Sequence, residues 1–317
     1  MYFIDLFAGI GGFTLAGQQA GWTCLYATDL DQHCQQTYQH NFATTYRRCD
    51  IRETASIIQD LERLDFQLLT AGFPCQSFSR AGKKEGWSDP QGRGELFFYL
   101  YNIIQALRPP AILLENVPHL QKIDHGQVFA TMLQLLSSCG YFCHYTTLDA
   151  YQISGLPQHR TRLYVVGLLD QDRFSRFTFP TLANHFQSFA SLLEPIVENS
   201  HYLNNKPLGR QLASHQLQVG HIYLYRRGVL RTITSGICPT LLASMGTGGH
   251  NVPIIVDHKG LRRLTWRECA RLQGFSEKFT FPTDLAVSHR YQQLGNSVSV
   301  PTVTKLFQHL ASVLDPT

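Results

Sequence analysis

The fold is decided by residues 2–13, which read YFIDLFAGIGGF. An apolar run leads into a glycine-rich turn, and a helical pattern follows at Phe13–Ala20. Strand, glycine turn and helix in this order are typical of the first unit of a nucleotide-binding sheet, where glycine lets a ligand approach the backbone. The dinucleotide fingerprint would require Gly or Ala at position 14, and Thr14 stands there. A nucleotide-dependent oxidoreductase is therefore disfavoured.

The same alternation of apolar runs and helical patterns continues to about residue 170. The runs predict strands at Tyr2–Phe7, Thr23–Thr28, Thr45–Cys49, Phe66–Ala71, Ala111–Leu114, Phe142–Leu148 and Arg162–Leu168. The helical patterns lie at Phe13–Ala20, Gln32–His40, Leu96–Leu107 and Val128–Ser138. Repeated strand–helix units predict an α/β fold with a Rossmann-like, parallel sheet.

After Phe177 the pattern weakens, and residues 180–256 show only short strand candidates at Leu230–Thr234 and Val252–Val256. A capping-box pattern, Thr265 with Glu268, predicts a helix over Thr265–Leu272 that ends near Gly274. The last segment, Val300–Leu314, is again helical. We predict two domains: residues 1–177 with 283–317, and a smaller irregular domain over residues 178–282.

Composition excludes several classes of protein. The 317 residues are 44% hydrophobic and 16% charged, as in globular proteins. No apolar run approaches the roughly 20 residues of a membrane span, and the N-terminus lacks a signal-peptide pattern. The eight cysteines form no zinc-like CxxC pair, so we expect free thiols in a reducing cytoplasm and no metal.

Positive charge is concentrated in the second half of the chain. The net charge is only +4, but residues 201–275 carry ten Lys or Arg against two acids. This excess favours a surface that binds a polyanion.

Reactive side chains follow five successive predicted strands: Asp5, Asp29, Asp50, Cys75 and Glu115. The carboxyl ends of parallel strands share one edge of a sheet, where ligands bind. Asp29 is placed to bond a ribose hydroxyl, and Asp50 to meet an adenine amino group. A thiol on the Pro74-Cys75 turn, with a carboxyl on the next strand, predicts a nucleophile with an acid/base partner.

Together these residues resemble the C5-cytosine DNA methyltransferase family over nearly the whole chain. The matching segments are 5–13 (cofactor loop), 74–76 (nucleophile), 115–117 (acid), 158–162 (QxRxR), 262–274 and 295–298. The resemblance implies an S-adenosylmethionine-dependent methyltransferase sheet with a smaller target-recognition domain. It also implies S-adenosyl-L-methionine as cofactor, with S-adenosyl-L-homocysteine as product. The implied cofactor contacts are Asp5, Phe7, Gly9, Gly11, Gly12, Asp29, Asp50, Pro74, Leu96 and Asn296.

The resemblance also implies a mechanism. The Cys75 thiolate adds to C6 of cytosine, which makes C5 reactive toward a methyl group. Glu115 acts at N3 and needs a raised pKa. Arg162 meets the base O2, and Arg160 helps to orient Glu115. A ring attacked on its faces cannot stay in a duplex stack, so the cytosine must be flipped out.

Contacts to DNA are predicted in two places, the segment that follows Cys75 and the recognition domain. Residues 76–95 read as a glycine-rich, basic lid beside Cys75. In the recognition domain, Thr240-Leu241 resembles a Thr-Leu pair of the family, and arginine suits the guanine edge. The candidate DNA contacts are Ser79, Arg80, Arg227, Arg231, Thr240 and Asn251.

Two alternatives stay open, an RNA (tRNA) cytosine methyltransferase and a non-catalytic DNA-binding relative. The basic recognition segment favours double-stranded DNA, and the intact thiol, carboxyl and arginines favour catalysis. Nothing precedes the cofactor loop or follows the last helix, so we expect a stand-alone bacterial enzyme, monomeric, cytoplasmic and associated with the nucleoid through DNA. A cognate restriction endonuclease is the expected cellular partner, without a stable complex.

Overall fold

A computed structural model describes residues 1–74, 96–246 and 251–315. The chain divides into two compact units. The first contains Met1–Leu148, Thr161–Thr181 and Val300–Thr317, and the second contains Asp149–Arg160 and Leu182–Ser299. Residues 149–160 and 283–299 thus group with the second unit, whereas the sequence-based division placed both with the sheet. The functional division stays a prediction.

Most elements begin and end within two residues of their predicted bounds. The strands are β1 Tyr2–Leu6, β2 Thr23–Asp29, β3 Thr45–Arg48, β4 Leu68–Ala71, β5 Ala111–Asn116, β6 Phe142–Asp149, β7 Thr161–Leu168, β8 Ile222–Arg226, β9 Val229–Ile233, β10 Ile254–Asp257 and β11 Gly260–Arg263. The helices are α1 Gly12–Gln19, α2 Gln32–Asn41, α3 Thr54–Leu61, α4 Leu96–Leu107, α5 Gln127–Ser138, α6 Ala150–Ser154, α7 Gln171–Arg176, α8 Pro207–Leu212, α9 Trp266–Gln273, α10 Val287–Asn296 and α11 Val300–Leu314.

The first unit contains a seven-stranded sheet in the order β3-β2-β1-β4-β5-β7-β6. Strands β1 to β5 pair in parallel, which confirms the predicted α/β class. Strand β7 runs antiparallel to β5, with Asn116 opposite Leu163. The sequence pattern did not reveal this reversal, because an apolar run reads the same in either direction.

Helices α1 and α11 pack together in the first unit, around the aromatic residues of β1 and its neighbours. The Phe3 and Phe307 rings lie 4.9 Å apart, and the Trp22 and Phe307 rings 5.5 Å apart, both edge to face. A Cβ on Gly17 would lie 2.5 Å from the Phe3 ring, so glycine permits this close packing. The start of β1, and hence its carboxyl end, is held in place by this cluster.

The second unit is built on a four-stranded sheet in the order β11-β10-β8-β9. Strands β8 and β9 are joined by Arg227-Gly228, whose φ angles are 51° and 81°. Two positive φ angles in a two-residue loop define the type I′ hairpin turn. The hairpin places Arg227 on the exposed turn and Arg231 on an exposed strand.

Helix α9 confirms the predicted capping box. The Thr265 hydroxyl accepts from the Glu268 N–H, and the Glu268 carboxylate accepts from the Thr265 N–H. Gly274 ends the helix with a φ of 85°. The Glu268 carboxylate also accepts one hydrogen bond from each Nη group of buried Arg262, both at 2.8 Å. The motif at 262–274 therefore ties β11 to α9.

Within residues 1–74, 96–246 and 251–315, no helix is both long and apolar enough to cross a membrane. The same residues contain no group of three His, Cys, Asp or Glu side chains arranged to hold a metal ion.

Candidate active site

The parallel strands bring the predicted site residues of the first unit to one edge of the sheet. Asp29 ends β2, Asp50 follows β3, Pro74 follows β4 and Glu115 lies near the end of β5. The loop between β1 and α1 lies at the same edge. Ligands of open α/β sheets bind at this edge.

The loop between β1 and α1 depends on left-handed backbone. The φ angles are 58° at Phe7, 54° at Gly9 and 85° at Gly11. For Phe7 this conformation is costly, by about 1–2 kcal/mol. A Cβ on Gly11 would lie 2.4 Å from the Phe42 ring. Gly11 thus allows the start of α1, at Gly12, to pack directly on aromatic rings.

Asp29 fixes the loop from the neighbouring strand. Its Oδ2 accepts from the Gly9 N–H at 2.9 Å, and its Oδ1 accepts from the Asp31 N–H at 3.0 Å. Burial raises the pKa of Asp29, and these two N–H groups oppose the rise. Asp29 is partly exposed as a residue, and each carboxyl oxygen retains lone pairs for a further donor.

Asp5 lies on β1 and is fully buried. The Thr70 hydroxyl donates to its Oδ1 at 2.8 Å, and Thr14 Oγ1 lies 3.4 Å from its Oδ2. Burial raises the pKa of Asp5 to about 8. Thr14 Oγ1 is also 2.8 Å from the Tyr38 hydroxyl. In the sequence, Thr14 only counted against a dinucleotide fingerprint. In the structure, it is part of a buried polar chain that joins β1, α1 and α2.

The remaining predicted cofactor contacts are distributed over both units. Asp50 is partly buried, and its Oδ1 accepts from the Arg52 N–H at 3.0 Å. Pro74 is exposed, and Leu96 begins α4. Asn296 is exposed at the end of α10 in the second unit.

Glu115 and Arg162 form an ion pair at the edge of the sheet, with Arg162 Nε 3.0 Å from Glu115 Oε1. Their side chains are only 12% and 14% exposed. The antiparallel pairing of β7 with β5 produces the contact, because it brings the beginning of β7 to the end of β5. The carboxyl group of Glu115 and the guanidinium group of Arg162, which can donate two parallel hydrogen bonds, are thereby held together with little exposure to solvent.

Asn116 links β5 to the segment that precedes the predicted nucleophile. Its Nδ2 donates to the Phe73 carbonyl oxygen at 3.0 Å, and its Oδ1 accepts from the Val117 N–H at 2.8 Å. Asn116 is 4% exposed. The nucleophile Cys75 and the lid candidates Ser79 and Arg80 lie outside the described residues.

Arg160 is buried in the second unit. It donates to the carbonyl oxygens of Leu241 and Gly295 at 3.1 Å and to that of Ser297 at 2.5 Å. These bonds make Arg160 a cross-link between separate segments of the unit. Its predicted action on Glu115 stays a prediction.

The described recognition candidates lie in the second unit. Arg227 and Arg231 are exposed on the β8–β9 hairpin. The Thr240 hydroxyl donates to the His159 carbonyl oxygen at 2.7 Å. Asn251 Nδ2 donates to the Ser244 carbonyl oxygen at 3.2 Å. Gln158 is the first residue of the QxRxR motif that contains Arg160 and Arg162. It binds Leu241 and was not among the predicted site residues.

Comparison with known proteins agrees with this geometry. The family model for C-5 cytosine-specific DNA methylase matches residues 1–312. The chain is 38% identical to the type II methyltransferase M.Bsp6I of Bacillus sp. (strain RFL6), covering 96% of this chain and 97% of the relative. It is 32% identical to the type II methyltransferase M.HpaII of Haemophilus parainfluenzae, covering 99% and 91%.

Two solved structures share the fold. The S. pombe Dnmt2 methyltransferase matches with a TM-score of 0.77 at 23% identity, covering all of both chains. The Entamoeba histolytica methyltransferase EhMeth matches with a TM-score of 0.80 at 22% identity, covering 100% of this chain and 99% of the other.

The chain belongs to the C-5 cytosine-specific DNA methylase family. It is a DNA (cytosine-5-)-methyltransferase, as the resemblance predicted. The fold implies S-adenosyl-L-methionine as methyl donor.

Proposed function

We propose that the enzyme methylates C5 of a cytosine flipped out of a specific duplex DNA sequence, through a bond between Cys75 Sγ and C6. The observation that carries this proposal is the partly buried Glu115–Arg162 pair, at the same edge of the sheet as the cofactor loop. A carboxyl and a guanidinium side by side complement the adjacent N3 and O2 of a cytosine edge. Pro74, directly before Cys75, follows the strand next to β5.

The residues of the first unit fit S-adenosyl-L-methionine by their chemistry. Asp29 retains acceptor capacity for a ribose diol, and Asp50 for an amino group. A Cβ on Gly9 would meet nothing within 4 Å, so space lies open beside the loop. When bound, the cofactor supplies a methyl group on an electrophilic sulfonium. We assign Phe7, Gly9, Gly12, Asp29, Asp50, Pro74, Leu96 and Asn296 to its binding, with Asp5 and Gly11 acting by shaping the loop.

The protein side chains handle the ring and its protons. The Cys75 thiolate bonds to C6 while Glu115 holds a proton at N3, so that no full ring anion forms. Arg162 steadies O2 and orients Glu115. After C5 has been methylated, a base removes the C5 proton, the C5–C6 double bond re-forms and Cys75 leaves as thiolate. The N3 proton returns to Glu115 as the ring re-forms, and the C5 proton passes from the base to solvent, so that the cytosine exchanges one proton for one methyl group.

Site recognition is proposed for residues 178–282, with Arg227, Arg231, Thr240 and Asn251 as DNA contacts beside Ser79 and Arg80. Exposed lysines and arginines of residues 201–275 supply attraction to phosphates, namely Lys206, Arg210, Arg227, Arg231 and Lys259, whereas Arg262 is buried and paired with Glu268. The names of the type II relatives support a role in restriction–modification. We propose a monomer in the bacterial cytoplasm, partnered by an endonuclease of the same site without a stable complex.

Covalent trapping tests the mechanism. Duplex DNA that contains 5-fluorocytosine should form a complex that survives SDS, because fluorine cannot leave C5 as a proton does. The Cys75→Ala variant should form none, and Cys75→Ser should bind DNA and cofactor without methylating. A complex with Cys75→Ala would remove Cys75 as nucleophile.

Bisulfite sequencing of DNA from cells that express the enzyme should reveal one methylated sequence. Purified enzyme should then turn over duplex DNA and not tRNA under the same conditions. Turnover confined to tRNA would replace the DNA substrate by RNA, and methylation at unrelated cytosines would contradict site recognition.

A further inference from the structure

Two short segments of the second unit, 157–160 and 238–241, are bonded side by side. The Cys238 N–H donates to the Pro157 carbonyl oxygen, and the His159 N–H donates to the Cys238 carbonyl oxygen, both at 2.8 Å. These bonds form a parallel bridge between Gln158 and Cys238. The Thr240 hydroxyl extends the contact to His159. The Thr240-Leu241 pair is therefore attached to the QxRxR motif.

Gln158 and Arg160 bind both main-chain groups of Leu241. The Leu241 N–H donates to Gln158 Oε1 at 3.2 Å, and Arg160 Nη1 donates to the Leu241 carbonyl oxygen at 3.1 Å. All three residues are at most 2% exposed. A buried main-chain group without a partner is costly, so these two bonds define where Leu241 lies.

Gln158 is itself held in one orientation. Its Nε2 donates to the Leu272 carbonyl oxygen at 2.7 Å and to Gln273 Oε1 at 3.2 Å. The amide therefore cannot turn without breaking bonds to α9. Gln158 therefore connects α9 to the main chain of Leu241, with its Nε2 bonded to α9 and its Oε1 bonded to the Leu241 N–H.

The chain beyond Leu241 is held by close approaches that only glycine permits. A Cβ on Gly295 would lie 2.2 Å from the Leu242 carbonyl carbon, and one on Gly246 would lie 1.9 Å from the Ser288 carbonyl oxygen. Residues 241–246 are thus fixed on Gln158 and Arg160 on one side and on α10 on the other. Thr240, directly before this segment, is one of the proposed DNA contacts.

We propose that Gln158 is a positioning residue for sequence recognition, which acts by holding the main chain of Leu241 and thereby the segment from Thr240 to Gly246. The inference rests on the proposed function, because it assumes that this segment reads DNA. Gln158 itself needs no contact with DNA or cofactor for this role.

The test compares discrimination between DNA sites. The recognition sequence is first defined by bisulfite sequencing with wild-type enzyme. Values of kcat/KM are then measured on the cognate duplex and on duplexes with one substituted base pair. The variant is Gln158→Met, which keeps the approximate size of the side chain and removes the three hydrogen bonds of its amide group. Tyr291→Phe is the control, because it removes another buried hydrogen bond of the unit, the 2.6 Å bond to the Leu264 carbonyl oxygen.

The discrimination ratio is kcat/KM on the cognate duplex divided by kcat/KM on a substituted duplex. We expect Gln158→Met to lower this ratio at least about tenfold, within the range that one base pair contributes. The dissociation constant of S-adenosyl-L-methionine should stay within about twofold of wild type. The Tyr291→Phe variant should keep the ratio. All variants are assayed at a temperature where circular dichroism shows them folded, and Gln158→Asn, with an intermediate loss expected, replaces the methionine variant if that fails to fold.

Two results overturn the inference. If the Gln158 variants lose rate but keep wild-type discrimination, as the control does, Gln158 is only a structural residue. If the wild type produces no methylated cytosine in DNA, the proposed function fails and the inference with it. The wild-type assay alone therefore separates the two failures.

Discussion

At the scale of single residues, the structure distinguishes a partly exposed acid, Asp29, from a fully buried one, Asp5. Both Asp5 and Asp29 were predicted as site residues for the same reason, because each is an acid at the end of a predicted strand. Asp29 is partly exposed and binds the loop through the Gly9 N–H, whereas Asp5 is fully buried and has no such contact among the hydrogen bonds described above. Asp5 is therefore best regarded as a support of the loop, with Thr14 and Thr70 as its partners.

The buried carboxyl of Asp5 should make stability depend on pH. Its pKa is about 8 in the folded protein, whereas an unfolded aspartate titrates near pH 4. Between pH 4 and pH 8 the folded state binds one more proton than the unfolded state. The free energy of unfolding therefore falls as the pH rises through this range. Asp5→Asn removes this titration. The variant should therefore gain stability relative to wild type from pH 5.5 to 7.5, by up to about 1.4 kcal/mol per pH unit.

Denaturant unfolding of both proteins at several pH values would measure this difference. Exposed Asp284→Asn controls for the loss of one negative charge. Parallel pH profiles for wild type and Asp5→Asn would show that Asp5 does not carry its proton in the folded enzyme.

At the scale of elements, the turn into α1 depends on Gly11. Gly11→Ala combines a φ of 85° with a Cβ only 2.4 Å from the Phe42 ring. We expect loss of about 2–4 kcal/mol of unfolding free energy and weaker S-adenosyl-L-methionine binding, because both strain and overlap act. Thermal unfolding and calorimetric titration would measure the two effects.

Gly21→Ala is the matched control, since its φ is 82° and its Cβ would meet nothing within 4 Å. It should cost only the backbone strain, about 1–2 kcal/mol, and leave cofactor affinity unchanged. Equal effects of the two substitutions on cofactor binding would contradict the packing role of Gly11.

The β8–β9 hairpin is the element on which direct base reading is expected. If Arg231 contacts a base, Arg231→Gln should cost about 1–3 kcal/mol and relax specificity at one position. A phosphate contact would instead weaken all DNA alike and reduce the salt slope by about one. Affinities for cognate and substituted duplexes at several salt concentrations distinguish these outcomes. Exposed Arg176→Gln, on α7 of the first unit, controls for charge.

At the scale of the whole molecule, chemistry and recognition should be separable. Replacing residues 178–282 by the corresponding segment of another family member should move methylation to the site of that relative, because the loop of β1, Glu115 and Arg162 remain in place. Bisulfite sequencing of DNA methylated by the chimera reads the result. A folded and active chimera that still methylates the original site would refute the assignment of recognition to this segment.

The anchoring of Leu241 refines the design of such a chimera. Gln158, Arg160 and Gly295 lie outside the exchanged segment, and their partners Leu241 and Leu242 lie within it. A donor segment whose main chain cannot follow the same path at these positions should fold poorly. Donors that keep a Thr-Leu pair are therefore the ones to use.

The sequence by itself predicted the strands of the larger sheet, six of the helices and the candidate site residues, but it did not predict α3, α6, α7, α8, α10, β8 or β11. Strand and helix bounds followed from apolar periodicity, and the box of Thr265 with Glu268 followed from local hydrogen bonding, because both signals depend on residues close in the chain. The acids at the strand ends followed from the geometry common to parallel sheets. Only the tertiary structure decided that β7 runs antiparallel and so brings Arg162 to Glu115, that Asp5 is buried, and that Gln158 holds Leu241. These features depend on pairings between residues far apart in the chain, for which a single sequence contains no periodic signal.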